Sequence, residues 1–193
     1  MSPETLLPLK QHPNAPVLGK GADGTVYDLG DNVLKISTFL NYERLDIKKV
    51  AKEKINNLKK IQKLKLDHLV ELFDIGEIQQ FSKIQSQDDY LDIFIYSYKM
   101  KKLTSVSEDE KKILELISHK DFDKPIVITQ KTYESAKELC SFYDVDLKKV
   151  NWFFKSIEKS PVRHLDVHTR NIMSATDGSF KLIDLDRITF THS

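Results

Sequence analysis

The stretch HLDVHTRNIM, residues 164–173, places a carboxylate at Asp166 and an amide at Asn171 between two short apolar runs. The next residues, TDGS at 176–179, have the composition of a tight turn. The run FKLIDLD at 180–186 then ends in two further carboxylates. Short apolar runs broken by polar clusters are typical of strands joined by functional loops. The pattern predicts neighbouring hairpin ends that carry acidic and amide groups, although a surface aspartate at a strand end is the ordinary explanation for either carboxylate taken alone.

Upstream, the first hundred residues have the pattern of an antiparallel sheet with one helix. The turn residues Gly30-Asp31-Asn32 between two strand-like runs predict a β-hairpin. From Tyr42 to Leu66, apolar residues recur at three- and four-residue spacing, which predicts an amphipathic helix with a solvated lysine face. This order of elements predicts the α+β class. The predicted strands cover residues 17–29, 32–37, 69–75, 76–84 and 91–100.

Downstream, the pattern becomes helical. Ser107 and Glu110 have the spacing of a capping box and predict the start of a helix. A second helix is predicted over 133–142, and a third begins at an Asp146 cap and ends before Pro161. The residues expected in the core of these helices are Cys140, Trp152, Phe153 and Phe154.

Composition limits the classes of partner and compartment. The 193 residues carry 30 basic and 29 acidic side chains, and this balance gives no electrostatic reason to expect nucleic acid as a partner. A single cysteine cannot form an internal disulfide, which favours a reducing compartment. No apolar stretch approaches the ~20 residues needed to span a bilayer. Residues 1–16 also lack the pattern of a signal peptide. We therefore expect a cytoplasmic protein without a membrane span.

A glycine-rich run, GKGADGTV at residues 19–26, precedes the strand that carries Lys35. The spacing alone is weak evidence, because dinucleotide-binding folds share it. A dinucleotide site needs a helix after the glycines, whereas a second strand follows here through Val26. Glycines that bridge two antiparallel strands favour a flap over the phosphates of a nucleotide. A plain glycine-rich hairpin and a solvent-facing strand lysine are the alternatives.

Together these motifs resemble the catalytic core of the protein-kinase superfamily. The sequence His-x-Asp-x-x-x-x-Asn at 164–171 resembles its catalytic loop, and Asp184 stands thirteen residues after Asn171, where the family has a magnesium-binding aspartate. The glycine run and Lys35 precede them in the family order. The resemblance covers roughly residues 16–190. It implies a bilobal protein-kinase-like fold of the α+β class that binds ATP and Mg²⁺, with an N-terminal lobe over 16–100, a C-terminal lobe over 101–193 and an irregular leader over 1–15.

The resemblance also implies a role for each residue. Asp166 is expected to accept or orient the proton of the substrate hydroxyl. Asn171 and Asp184 are expected to bind magnesium, and Asp186 to bind a second ion or to pair with Arg187. The implied catalytic set is Asp166, Lys35 and Asn171; the nucleotide-binding set is Gly19, Gly21, Gly24, Val26, Lys35 and Glu53; the metal set is Asn171, Asp184 and Asp186.

Several positions depart from the usual family pattern. Leu165 replaces the arginine that contacts a phosphorylated activation loop, so this control is not expected. His168 and the run Asp184-Leu185-Asp186-Arg187 resemble aminoglycoside and lipopolysaccharide kinases. Only seven residues follow Asp186, which predicts a truncated C-terminal lobe like that of small phage kinases and injected bacterial effectors, some of which depend on a host protein. An effector of that kind would act in the host cytosol.

The glutamate that pairs with Lys35 is not settled by the pattern. Glu53 lies in the middle of the predicted helix, where the family partner normally lies, and Glu43 is in better phase with the apolar stripe but comes early. We favour Glu53.

The sequence therefore predicts an ATP- and Mg-dependent phosphotransferase, a minimal protein kinase that acts on a protein hydroxyl, with Ser/Thr as the expected acceptor. Its partners would be a protein substrate or an activating protein. The alternatives are a lipopolysaccharide or small-molecule kinase, and a pseudokinase that binds nucleotide or a partner without turnover.

Overall fold

A computed structural model describes residues 12–21, 24–40, 47–86, 89–118, 126–164 and 166–190. The α+β class is confirmed. The chain divides into two compact units: the first comprises the described residues of Met1–Lys63 and Glu71–Lys102, and the second those of Leu64–Val70 and Leu103–Ser193. Most of the predicted leader, Glu43 and Leu165 lie outside the described residues.

A six-stranded antiparallel sheet forms the frame of the first unit. Its strands are Val17–Gly21 (β1), Gly24–Asp28 (β2), Asn32–Leu40 (β3), Leu72–Ile75 (β4), Gln79–Ser86 (β5) and Asp89–Lys101 (β6). The strand order is β1-β2-β3-β6-β4, and β5 also pairs with β6. The central strands β3 and β6 are buried on both faces, as Leu34, Ser37, Tyr96 and Ser97 show. Residues on either face of β3 are therefore buried, polar ones included.

The predicted hairpin lies between β2 and β3. The amide of Leu29 donates to the carbonyl of Asn32 over 2.9 Å, and the amide of Gly30 donates to Asp28 Oδ1 over 3.0 Å. The side chain of Lys102 donates to Asp28 Oδ2 over 2.7 Å, which ties the turn to the end of β6. The run 17–29, which looks continuous in sequence, is two paired strands with Gly21 opposite Gly24.

The predicted amphipathic helix is Ile47–Leu64 (α1). Its apolar stripe is buried as expected, and Gln62 Nε2 donates to the carbonyls of Leu72 and Phe73 over 3.3 and 2.9 Å. This side chain fastens the end of α1 to β4. The predicted helix residues before Ile47 lie outside the described part of the chain. The buried stripe consists of Ala51, Ile55, Leu58 and Ile61.

Helices and short strand pairs make up the second unit. The helices are Glu108–Leu114 (α2), Gln130–Tyr143 (α3) and Leu147–Glu158 (α4); the strands are Thr104–Ser105 (β7), Val162–His164 (β8), Ile172–Ser174 (β9), Phe180–Leu182 (β10) and Ile188–Phe190 (β11). The Ser107–Glu110 capping box is confirmed, with both reciprocal bonds formed. Asp146 caps α4 by accepting from the amide of Lys148 over 2.8 Å.

The core of this unit confirms three of the four expected residues. Phe153 and Phe154 are fully buried, and Phe153 meets Phe180 edge to face at 5.6 Å between ring centroids. Cys140 is 3% exposed, and burial raises the pKa of its thiol. The prediction for Trp152 was wrong: it is 39% exposed, because it lies off the stripe that its two neighbours and Val150 present inwards. Among the described helices, none has the length and apolar character that a bilayer crossing demands.

The strand predicted over 69–75 is divided between the two units. Its second half is β4, whereas Leu69 and Val70 extend the small sheet of β10 instead. The amide of Leu182 donates to the carbonyl of His68 over 2.8 Å, and the amide of Val70 donates back to Leu182 over 2.9 Å. Such backbone pairing with residues more than a hundred positions away has no local sequence signal.

Candidate active site

Two antiparallel strand pairs position the acidic loops of the second unit. In one pair β8 lies beside β11, with His164 opposite Ile188; in the other β10 lies beside β9, with Leu182 opposite Ile172. The first loop, 166–171, joins β8 to β9, and the second, 183–187, joins β10 to β11. The amide of Ile183 donates to the carbonyl of Asn171 over 2.8 Å, so the two loops are directly bonded.

The side chain of His164 forms hydrogen bonds with the backbone of both loops. Its Nε2 lies 2.9 Å from the carbonyl oxygen of Ile183, and its Nδ1 accepts the amide hydrogen of Asp166 over 3.2 Å. Because Nδ1 accepts, the proton of the neutral ring is on Nε2. Burial lowers the pKa of His164, which is 5% exposed, and so keeps the ring neutral. The sequence did not predict this role, since Ile183 lies nineteen positions away.

Asn171 closes the first loop with its side chain. Its Nδ2 donates to the carbonyl oxygen of Asp166 over 2.8 Å, and its own amide donates to the carbonyl of His168 over 2.8 Å. The residue is 8% exposed. Because Nδ2 is committed to the loop, Oδ1 is the atom that can serve a cation.

Asp166 and His168 carry atoms whose hydrogen-bonding capacity is unused. Asp166 Oδ1 and His168 Nδ1 are buried and have no hydrogen-bond partner among the described residues. The other ring nitrogen of His168, Nε2, lies 3.5 Å from Asp166 Oδ1. A buried acceptor left without a donor costs about 1–3 kcal/mol, and a catalytic role is one of the explanations for such a group in a folded protein.

The second loop presents Asp184 and Asp186. Asp184 adopts a left-handed backbone conformation, with φ 58° and ψ 55°, where β10 gives way to the 3₁₀ turn Leu185–Arg187. A non-glycine residue in this region is uncommon and is often found at functional sites. Burial has the largest effect on the pKa of His164, and the carboxylates of Asp184 and Asp166 oppose it by acting to raise that pKa. Asp186 is 6% exposed.

The donor set of these loops fits a magnesium ion. Asn171 Oδ1 and the carboxylates of Asp184 and Asp186 are hard oxygen ligands, the type that Mg²⁺ prefers. Within the described ranges, no three His, Cys, Asp or Glu side chains cluster as a metal site. The predicted set therefore depends on the amide of Asn171 together with the two aspartates, and it stays a prediction.

Lys35 is buried within the first unit. It lies on β3 opposite Val26 of β2 and opposite Tyr98 of β6, and only 8% of it is exposed. Its Nζ lies 5.9 Å from the centroid of the Tyr98 ring. The alternative of a solvent-facing strand lysine is therefore wrong. Lysines are rarely buried to this extent, because a buried ammonium is costly unless it is paired.

The three glycines of the flap differ in the space available for a side chain. A Cβ at Gly24 would lie 2.1 Å from the carbonyl oxygen of Ile36, which no side chain can tolerate. At Gly19 and Gly21 a Cβ would meet nothing within 4 Å. Gly24 is thus required by the close pairing of β2 with β3, and the first two glycines leave open space along β1.

Glu53 lies on the exposed face of α1, away from the stripe formed by Ala51 and Ile55. This exposure argues against Glu53 as the partner of a lysine that is 8% exposed. The pairing stays a prediction, and the other candidate, Glu43, lies outside the described residues.

Comparison with known proteins gives a limited likeness. No known protein family matches the chain, and neither does any curated protein. Among solved structures, that of WbdD with the kinase inhibitor LY294002 is similar at 15% identity and a TM-score of 0.48, over 91% of this chain. A structure of the bifunctional kinase-methyltransferase WbdD is similar at 16% identity and a TM-score of 0.45, over 88% of this chain. The chain spans only 33% and 31% of those two chains.

Proposed function

We propose that the chain is an ATP- and Mg-dependent phosphotransferase, a minimal protein kinase that transfers the γ-phosphoryl group to a protein hydroxyl. The observation that carries the proposal is the buried Oδ1 of Asp166, which has no hydrogen-bond partner among the described residues, in a loop that the Asn171 amide holds closed. A fixed, partly desolvated carboxylate is what a proton acceptor in such a transfer requires.

In the proposed reaction the acceptor hydroxyl oxygen forms a bond to the γ-phosphorus, and the bond from that phosphorus to the β–γ bridging oxygen breaks. Asp166 takes the hydroxyl proton, and ADP leaves with the electron pair of the broken bond. His164 keeps the backbone of Asp166 in place through its Nδ1, so the carboxylate does not need to reorganise.

Magnesium, when bound, would neutralise the charge that builds up on the phosphates. The residues proposed to hold it are Asn171, Asp184 and Asp186. The backbone bond from Ile183 to Asn171 fixes the separation of the two loops that supply these oxygens. Gly19, Gly21 and Lys35 of the first unit are proposed to bind the phosphates, because the glycines leave open space and the lysine is a buried cation.

The test is transfer of label from γ-labelled ATP, with Mg²⁺ and a mixed protein acceptor such as casein. Wild-type protein should label the acceptor. Asp166→Asn, which keeps the shape but loses the base, should lower the rate by about 10²–10⁴-fold. Asp67→Asn, an exposed aspartate of the same unit, is the matched control and should have the wild-type rate. Equal labelling by wild type and Asp166→Asn, at equal thermal stability, would contradict the proposal.

A second candidate is a kinase for lipopolysaccharide or another small molecule, which is favoured by His168 and by the run Asp184-Leu185-Asp186-Arg187. The same labelled ATP offered with glycolipid or aminoglycoside separates the two. Label on these acceptors and never on protein would exclude the protein kinase. ATP binding without transfer to any acceptor would instead identify a pseudokinase.

A further inference from the structure

Asp166 and His168 together hold two of the three buried side-chain polar atoms that have no hydrogen-bond partner among the described residues; the third is Ser118 Oγ. The side chains are 13% and 22% exposed, so neither is freely solvated. Asp166 Oδ1 and His168 Nε2 lie 3.5 Å apart, which is too long for a good hydrogen bond but close enough that a small rotation of the ring closes it. Catalytic hydrogen bonds are often long before substrates bind and tighten afterwards.

We propose that His168 is a positioning residue for Asp166, an inference that rests on the proposed phosphotransferase function. The ring carries a proton on Nε2 and donates it to Asp166 Oδ1. This bond fixes the carboxylate so that Oδ2 is the oxygen presented to the acceptor hydroxyl. The role differs from that of the lysine at this position in many serine/threonine kinases, which is a cation.

The contact between His168 Nε2 and Asp166 Oδ1 determines which ring nitrogen of His168 carries the proton. A ring with its proton on Nδ1 would point the lone pair of Nε2 at a carboxylate oxygen, and two acceptors facing each other repel. The backbone limits the other positions that the ring can take, because the carbonyl of His168 accepts from the amide of Asn171 over 2.8 Å. His168 itself is in extended conformation, with φ −141° and ψ 166°. The ring is therefore held beside Asp166 by the same turn that holds Asn171.

Three substitutions separate positioning from a direct contact with phosphate. Gln places an amide N–H near the position of Nε2, Asn reaches only to the position of Nδ1, and Lys supplies a cation without the planar donor. If His168 positions Asp166, His168→Gln keeps kcat within about fivefold, and His168→Asn lowers kcat by about 10–100-fold, with KM for ATP unchanged in both. Arg170→Gln, an exposed change in the same turn, is the control.

The opposite pattern overturns the inference. If His168→Lys keeps full kcat while His168→Gln raises KM for ATP, the residue contacts phosphate as a cation. Equal kcat for the Gln and Asn variants, with unchanged melting temperatures, overturns it as well.

A readout that needs no turnover distinguishes failure of this inference from failure of the proposed function. Long-range ¹⁵N–¹H correlation of the His168 ring should show the proton on Nε2 in the wild type, and the Nε2 resonance should move in Asp166→Ala. A protein with this signature that transfers no phosphoryl group contradicts the proposed function and keeps the pairing. A proton on Nδ1 overturns the pairing, and so does an Nε2 chemical shift that is the same in wild type and Asp166→Ala. Either result holds whether or not the protein transfers phosphate.

Discussion

The side-chain nitrogen of Asn171 donates a hydrogen bond to the backbone carbonyl oxygen of Asp166 across 2.8 Å. This bond spans five residues and joins the proposed proton acceptor to a proposed metal ligand. Because Asn171 is 8% exposed, water does not compete well for either group. The side-chain Nδ2 of Asn171 therefore fixes the conformation of the loop, and its Oδ1 is the atom proposed to bind a cation.

Asn171→Asp tests this brace, because it keeps an oxygen and removes the donor. A carboxylate oxygen would then face the carbonyl of Asp166, and we expect a loss of about 2–3 kcal/mol in the free energy of unfolding. Urea denaturation measures it. Asn56→Asp, on the exposed face of α1, is the control and should change stability by less than about 0.5 kcal/mol. Equal free energies of unfolding for the two variants would mean that the hydrogen bond from Asn171 Nδ2 does not stabilise the loop.

His68 should make the stability of the second unit fall in acid. Burial, followed by the charge of Lys181, lowers the pKa of His68 to about 4 in the folded state. The unfolded chain takes up this proton near its ordinary pKa of about 6.5, so it binds more protons than the folded state between those two values. Stability is therefore full above pH ~6.5 and is lost progressively towards pH ~4, by on the order of 3 kcal/mol for this residue.

Urea unfolding at several pH values between 7.5 and 4.5 measures this dependence. His68→Gln should flatten part of the slope, and His12→Gln, outside the second unit, should leave it unchanged. The burial of His164 lowers its pKa too, so a residual slope of the same sign is expected. If the pH profiles of His68→Gln and wild type run parallel, the assignment is wrong.

The ion pair between Lys149 and Glu110 is expected to matter more than the surface pairs. Lys149 Nζ lies 2.6 Å from Glu110 Oε1, 3.3 Å from Ser174 Oγ and 3.8 Å from the centroid of the Phe180 ring. Burial alone would raise the pKa of Glu110, but the bonds from Lys149 and from the Ser107 amide hold it below its ordinary value. Both side chains of the pair are only 17% exposed.

Lys149→Met should therefore cost about 3 kcal/mol, because it leaves the glutamate partly buried and unpaired. Lys112→Met, which breaks an i,i+3 pair whose side chains are both 49% exposed, should cost less than about 1 kcal/mol. Adding Glu110→Gln to Lys149→Met should recover part of the loss. Comparable losses for the two lysine variants in urea denaturation would show that burial of the pair has no energetic effect.

What the sequence predicted well is what depends on neighbours along the chain. The capping box at Ser107, the Asp146 cap and the apolar stripe of α1 each follow from side chains within four residues of one another. The contact between Asp166 and Asn171 is local in the same sense, since a single loop brings the two residues together.

What the sequence could not predict depends on distant partners. Leu69 and Val70 have the composition of a strand, but only the distant edge of β10 decides which sheet they join. Glu53 was favoured as the partner of Lys35 because it lies in the middle of the helix, although Glu43 is in better helical phase. The exposure of Glu53 became visible only once the buried side of α1 was known. No local signal shows that the nearest obstacle to a side chain at Gly24 is the backbone of Ile36, and the place of Gly24 in a phosphate flap stays a prediction.

Gly24 and Gly21 should respond differently to alanine. A Cβ at Gly24 would lie 2.1 Å from the carbonyl oxygen of Ile36, so β2 and β3 would have to separate, and we expect Gly24→Ala to cost about 3 kcal/mol or to prevent folding. Gly21→Ala meets nothing within 4 Å and should leave the free energy of unfolding within about 0.5 kcal/mol of wild type. If Gly21 lies against phosphate, as proposed, its alanine variant should nevertheless raise KM for ATP, because the methyl group occupies the space that the nucleotide needs. Urea denaturation and ATP kinetics on the Gly21→Ala variant therefore distinguish a structural role of Gly21 from a role in binding. Wild-type stability together with an unchanged KM for ATP would show that Gly21 does not contact the nucleotide.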